Sequence, residues 1–96
     1  MVSYELTLIL RVTDNVESLK ELVKKIFQKY GVSVISEGSW DIKKFAYPIQ
    51  DEKEGYFVFM DIESPANAVE KIIGDFRLNA DVLRYFFIKN NVKKTA

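Results

Sequence analysis

The run Tyr56-Phe57-Val58-Phe59-Met60-Asp61-Ile62-Glu63 decides the fold. Its alternation has a period of two, the mark of a strand with one buried face. Tyr56, Val58, Met60 and Ile62 form an unbroken apolar set, whereas Phe57 and Phe59 share their side with Asp61 and Glu63. The first set belongs to the core. Two phenylalanines are thereby left on the other side, and the rest of the chain must say whether anything covers them.

Upstream, Gln50–Gly55 reads as a polar turn ending in glycine, so this strand forms a hairpin with the one before it. That partner spans Val32–Lys44, rich in β-branched residues, and runs on through Phe45-Ala46-Tyr47-Pro48-Ile49. Pro48 has no N–H to give a ladder and favours an edge, while Gly38 marks a bulge or bend. Nearer the N-terminus, Val2, Tyr4, Leu6, Leu8 and Leu10 alternate with Ser3, Glu5, Thr7 and Arg11; Ile9 is an apolar exception on the polar side. Thr13-Asp14-Asn15 then starts a helix, with Asp14 as the cap and Glu17 three residues on. Val16, Leu19, Val23, Ile26, Phe27 and Tyr30 recur at helical spacing, and Gly31 stops the run.

Downstream, Ser64-Pro65 opens a second helix, serine as N-cap and proline at the first helical position. Val69, Ile72, Ile73 and Phe76 make its apolar stripe, and Asn79 ends it. Val82–Lys89 is the last strand, with Tyr85 and Phe87 inward and Arg84, Phe86 and Ile88 outward. The order β-α-β-β-α-β predicts an α+β, ferredoxin-like domain over residues 1–89. Its four-stranded antiparallel sheet has the order 4-1-3-2, with both helices on one face. Residues 90–96 form a short basic tail. The helix-free face then carries Ile9, Phe57, Phe59, Phe86 and Ile88 as a partner surface. The competing reading is a misjudged strand parity, or cover by loops and lysine stems.

Composition narrows the function. The 96 residues hold no cysteine and no histidine, with 14 basic side chains against 14 acidic. Disulfides, thiolate zinc sites and iron–sulfur clusters are excluded, and so is the commonest general base. The longest uncharged stretch, Tyr30–Ser36, has seven residues, too short for a bilayer span. No charged-then-apolar leader follows Met1. The expectation is a soluble domain that is not an enzyme and takes no cofactor, metal or small-molecule substrate.

Sites known on this kind of fold are tested residue by residue. A metal-chaperone site needs a C-x-x-C pair. A phosphate loop needs glycines where Arg11-Val12-Thr13-Asp14 stands, and its aspartate repels phosphate. Glu54-Gly55-Tyr56-Phe57-Val58-Phe59 shares only the Gly-aromatic start of an RNA-recognition frame. Asp51, Glu52 and Glu54 cluster beside Lys53 in the turn, which reads as a solvated loop rather than a calcium site. Basic residues are more suggestive: Lys43-Lys44 precedes Phe45, and no acid follows Asp81, while Arg84, Lys89, Lys93 and Lys94 are cationic. Zero formal net charge speaks against gripping nucleic acid over the whole surface, but it permits a local patch.

Tyr4-Glu5 before an alternating strand, Tyr30-Gly31, Ile42-Lys43-Lys44-Phe45-Ala46-Tyr47-Pro48-Ile49, Glu54-Gly55-Tyr56-Phe57 and Val82-Leu83-Arg84 together resemble the bacterial small-subunit ribosomal protein six family (bS6-like). The similarity runs from about Tyr4 to Lys89. It implies the same ferredoxin-like fold and a structural role in the small ribosomal subunit, in the cytoplasm. It also implies binding to the central domain of 16S rRNA, together with ribosomal protein eighteen as heterodimer partner. Lys43, Lys44, Arg77, Arg84 and Lys89 match the family's basic positions and are the candidates for rRNA or partner contact. Val2-Ser3 and Leu83 depart from the family pattern at positions that are often basic. The rival function is a ferredoxin-like regulatory domain that binds a small ligand or self-associates through its open sheet.

Overall fold

In the computed structural model, which describes residues 2–89, the period-two segments become five strands and the helical segments two helices. In chain order these are β1 (Val2–Arg11), α1 (Val16–Lys29), β2 (Ser33–Glu37), β3 (Asp41–Ile49), β4 (Glu52–Ser64), α2 (Ala68–Arg77) and β5 (Val82–Lys89). All pairings are antiparallel, in the order β2-β4-β1-β5, and β3 also pairs with β4. β2 and β3 are two pieces of the expected second strand. Both lie along the same edge of β4, and the Gly38 N–H still donates to the Phe59 carbonyl across the break. The predicted order 4-1-3-2 therefore holds, with one edge strand interrupted at the glycine.

The β3–β4 hairpin is longer than the sequence reading allowed. Only Gln50 and Asp51 form the turn, with φ of 49° and 66°. Paired positive φ values are those of the two-residue turns whose twist matches that of a hairpin. Glu52–Gly55 therefore belongs to β4. The pairing is irregular between Lys44 and Ile49, so Pro48 sits where no ladder bond is demanded of it.

The core lies between the sheet and the helices. Leu6, Leu8 and Leu10 of β1 and Val58, Met60 and Ile62 of β4 face Leu19, Val23, Ile26 and Phe27 of α1 and Ile72 and Phe76 of α2. The two apolar stripes thus cover one side of the sheet. Lys29 Nζ lies 3.3 Å from the Asp75 carboxylate and ties α1 to α2. The Tyr30 hydroxyl and the Asp75 carboxylate hold the Lys29 amine above its usual pKa. Lys29 therefore stays charged at neutral pH, and what this contact adds to stability is lost only as pH rises through that raised value.

Both helix starts differ from expectation. Asn15, not Asp14, caps α1: its side-chain oxygen accepts from the Ser18 N–H at 3.2 Å. Asn15→Ala should cost about 1 kcal/mol in a denaturant titration, while Asp14→Ala costs little. Ser64 stays at the end of β4, fully buried, and its hydroxyl donates to the Pro65 carbonyl. A turn closed by the Ala68 N–H on the Pro65 carbonyl intervenes, so α2 begins at Ala68.

Candidate functional site: the helix-free face of the sheet

Strand register sorts the open face into rows. One row runs Asp41, Phe57, Ile9 and Arg84 across β3, β4, β1 and β5. The next holds Phe59, Thr7 and Phe86, and the one beyond it Ser36, Asp61, Glu5 and Ile88. The face ends with Lys43, Gly55 and Arg11 on one side and Glu63 and Ser3 on the other. Alternation along each strand puts all these side chains away from the helices.

Phe59, Phe86 and Ile88 are 54%, 50% and 58% exposed, so the middle of this face is bare hydrophobic ground. Phe57 is half-buried, its ring 5.8 Å from that of Phe45. Lys43 reaches back over both rings: its ammonium lies 5.6 Å from the Phe57 ring centre and 6.0 Å from that of Phe59. A cation placed so is held by the ring quadrupoles. The lysine and the phenylalanines thus form one surface.

Ile9 lies on this face but is only 6% exposed, which corrects its assignment to the free surface. Phe57 and Arg84 flank it, and the hairpin covers it from one end. Gly55 allows that cover. A Cβ there would come within 2.7 Å of the Leu10 carbonyl oxygen, 2.8 Å of the Phe45 ring and 3.3 Å of the Ile9 side chain. Gln50 at the hairpin tip reaches the Leu83 carbonyl at 3.5 Å. Leu83 is the extra residue where the β1–β5 register shifts, and it is 3% exposed. Leu83 is therefore sheltered rather than part of a contact surface.

The five basic candidates do not share one patch. Lys43 and Arg84 stand on the open face at the same end, Arg84 also donating to the Leu83 carbonyl at 3.0 Å. Lys44 points by alternation to the other side of the hairpin, opposite Glu54. Arg77 ends α2 and donates to the Tyr85 hydroxyl at 2.9 Å, on the helix side. Lys89 lies opposite Tyr4 at the end of β5, also on the helix side.

Acidic residues matter here in a way the sequence reading did not use. Glu5 and Asp61 are direct cross-strand partners, a like-charge pairing that is unfavourable on its own. Ser36 donates a 2.9 Å hydrogen bond to Asp61, and a groove of about 540 Å³ runs past Glu5, Thr7, Asp61, Phe59 and Ile88. Their shared parity with Phe57 and Phe59 was the available signal.

No group of three His, Cys, Asp or Glu is gathered for a metal ion among the described residues. None of their helices is long and apolar enough to cross a membrane.

The fold alone leaves several families open. The C-terminal domain of the MgtC protein from Mycobacterium tuberculosis aligns with a TM-score of 0.62 at 6% identity, covering 100% of this chain and 95% of that one. The crystal structure of 30S ribosomal protein S6 from Thermotoga maritima aligns with a TM-score of 0.82 at 22% identity, over 93% of this chain and 87% of that one. Sequence decides: the family model for ribosomal protein S6 matches residues 3–89. The chain belongs to the ribosomal protein S6 family. Small ribosomal subunit protein bS6 of Leptospira biflexa serovar Patoc is 33% identical over 91 residues, 95% of this chain and 99% of that protein. Its counterpart in Bacteroides thetaiotaomicron is 32% identical over 92 residues, 93% of this chain and 81% of that protein. An S6 chain is a ribosomal protein of the small subunit and not an enzyme.

Proposed function

We propose that this S6 chain acts as an assembly component, binding the central domain of 16S rRNA jointly with ribosomal protein S18. The carrying observation is the Lys43 ammonium lying over Phe57 and Phe59, which joins cationic and apolar ground in one docking surface. Exposed aromatic area supplies affinity for a protein partner, and the cations at the same end supply phosphate contacts. The formal net charge of +0 implies that the chain alone holds RNA weakly and needs the partner. Lys44, on the other side of the hairpin opposite Glu54, can join only where RNA reaches around that arm. Arg77 and Lys89, on the helix side, can join only where RNA wraps the sheet edge.

The test is co-precipitation with S18 and a central-domain rRNA fragment. Lys43→Glu/Lys44→Glu should weaken RNA capture at least about tenfold at low salt and reduce the salt dependence by about one or two phosphate contacts. Unchanged capture, or binding by the isolated chain that S18 does not strengthen, overturns the proposal.

A further inference from the structure

The open face is uneven in charge. Glu5, Asp61 and Glu63 stand at one end, around and beyond Ile88, and none of them is in an ion pair among the described residues. Lys89, the base of β5 at that end, alternates to the helix side. Glu37 also lines the groove there, with its carboxylate taken by the Trp40 indole N–H at 2.7 Å. The opposite end is balanced: Arg11 is paired with Glu52 and Asp81, and Asp41 stands with Lys43 and Arg84. Bare apolar ground adjoins the acids, since Phe59 and Ile88 are both more than half exposed.

A basic segment carrying an apolar residue fits the acidic end, and the chain has one within reach. β5 ends there, with Lys89 opposite Tyr4. Residues 90–96, outside the described ones, read Asn90-Asn91-Val92-Lys93-Lys94-Thr95-Ala96, with no acid among them. We propose that this tail turns back over the open face, setting Lys93 and Lys94 against Glu5, Asp61 and Glu63 and Val92 against Ile88. Asn90-Asn91 supplies residues that favour such a turn. Asp61 and Glu63 lie two strands over and one residue along from Lys89, about 10 Å at strand spacings of ~4.8 Å and ~3.3 Å per residue. The chain from Lys89 to Lys93 spans up to about 13 Å, before the lysine stem is counted. Cations arriving there also relieve the repulsion between the cross-strand partners Glu5 and Asp61.

A tethered segment needs little area. Its local concentration at the face is on the order of millimolar, so a contact too small to hold a separate chain is enough. The tail is thus a built-in cover for the acidic half of the face, which any partner docking on Phe59 and Ile88 must first move. The inference goes beyond the ribosomal role and does not depend on it.

The experiment is paramagnetic relaxation in the full chain. The sequence has no cysteine, so Ala96→Cys gives a single site for a nitroxide label. Gly31 and Ala68 serve as the reference, because they lie at the same end of the sheet on the helix side. At low salt, amides of Glu5, Asp61 and Ile88 should be broadened at least about threefold more than those of Gly31 and Ala68, the bias that two exposed ion pairs supply. The bias should vanish in Lys93→Glu/Lys94→Glu, and at about 1 M salt, where the screening length is about 3 Å. Adding Glu5→Lys/Asp61→Lys to the tail variant should bring it back. Circular dichroism confirms that each variant folds. Equal broadening on the two sides in the wild-type background, a bias that survives reversal of the tail charges, or no recovery in the combined variant overturns the inference. The measurement involves no S18, so its failure leaves the ribosomal reading to its own test.

Discussion

Phe59→Ser combined with Phe86→Ser is expected to lower the affinity for ribosomal protein S18 by about 100-fold or more while leaving the fold in place. Each ring is about half exposed, at 54% and 50%, and they share a row on a face that no helix covers. Aromatic anchors at the centre of an interface commonly contribute about 2 kcal/mol or more each, and about 1.4 kcal/mol is a factor of ten in affinity. Their loss from the folded domain is mild by comparison, because neither ring belongs to the core between sheet and helices. Isothermal titration calorimetry with S18 reads the first effect and thermal unfolding the second. Full affinity in the double variant would move the docking site off this face.

The opposite pattern is expected at Phe76. The side chain is 1% exposed, with its ring 5.9 Å from Tyr85 and 6.3 Å from Phe87. It fastens α2 to β5 from the covered side of the sheet. Phe76→Ala should destabilise by about 3–5 kcal/mol, a large share of the 5–15 kcal/mol typical of such domains. At roughly 4–8 °C per kcal/mol for a domain of this size, the melting temperature should drop by at least about 12 °C. A denaturant titration showing a loss below about 1 kcal/mol would mean that α2 is not held by this ring. The two experiments separate the sides of one sheet: the open side carries the proposed docking surface, and the other holds the domain together.

Much of this was readable from residue order. The parity of Tyr56–Glu63 placed Val58, Met60 and Ile62 in the core and Phe59 outside it, because a strand can turn only alternate residues inward. The helical stripe ending at Tyr30, with Gly31 at a φ of 70°, was equally plain. Contacts between distant segments were less so. The burial of Ile9 depends on the β3–β4 hairpin folding down over it, and nothing local to Ile9 encodes that. Leu83 is sheltered because the β1–β5 pairing slips by a residue, a feature of register rather than of composition. The same holds for the basic candidates. Strand register brings Lys43 and Arg84 to the same end of the open face, on opposite edges, whereas Arg77, similar in type, is claimed by Tyr85 on the helix side. Helix starts failed for a different reason. Asp14 and Asn15 are both good caps, and the geometry of the chain leaving β1 chose between them.

Gly55 carries a consequence for the family of sequences this architecture tolerates. With the Leu10 carbonyl oxygen 2.7 Å and the Phe45 ring 2.8 Å from where a first side-chain carbon would sit, even alanine acts as a wedge there. Prying the hairpin arm upward would strip the roof from Ile9 and Leu83 and spread the sticky area toward the cationic end. The extent of bare apolar ground on this face is thus governed by one missing methyl group.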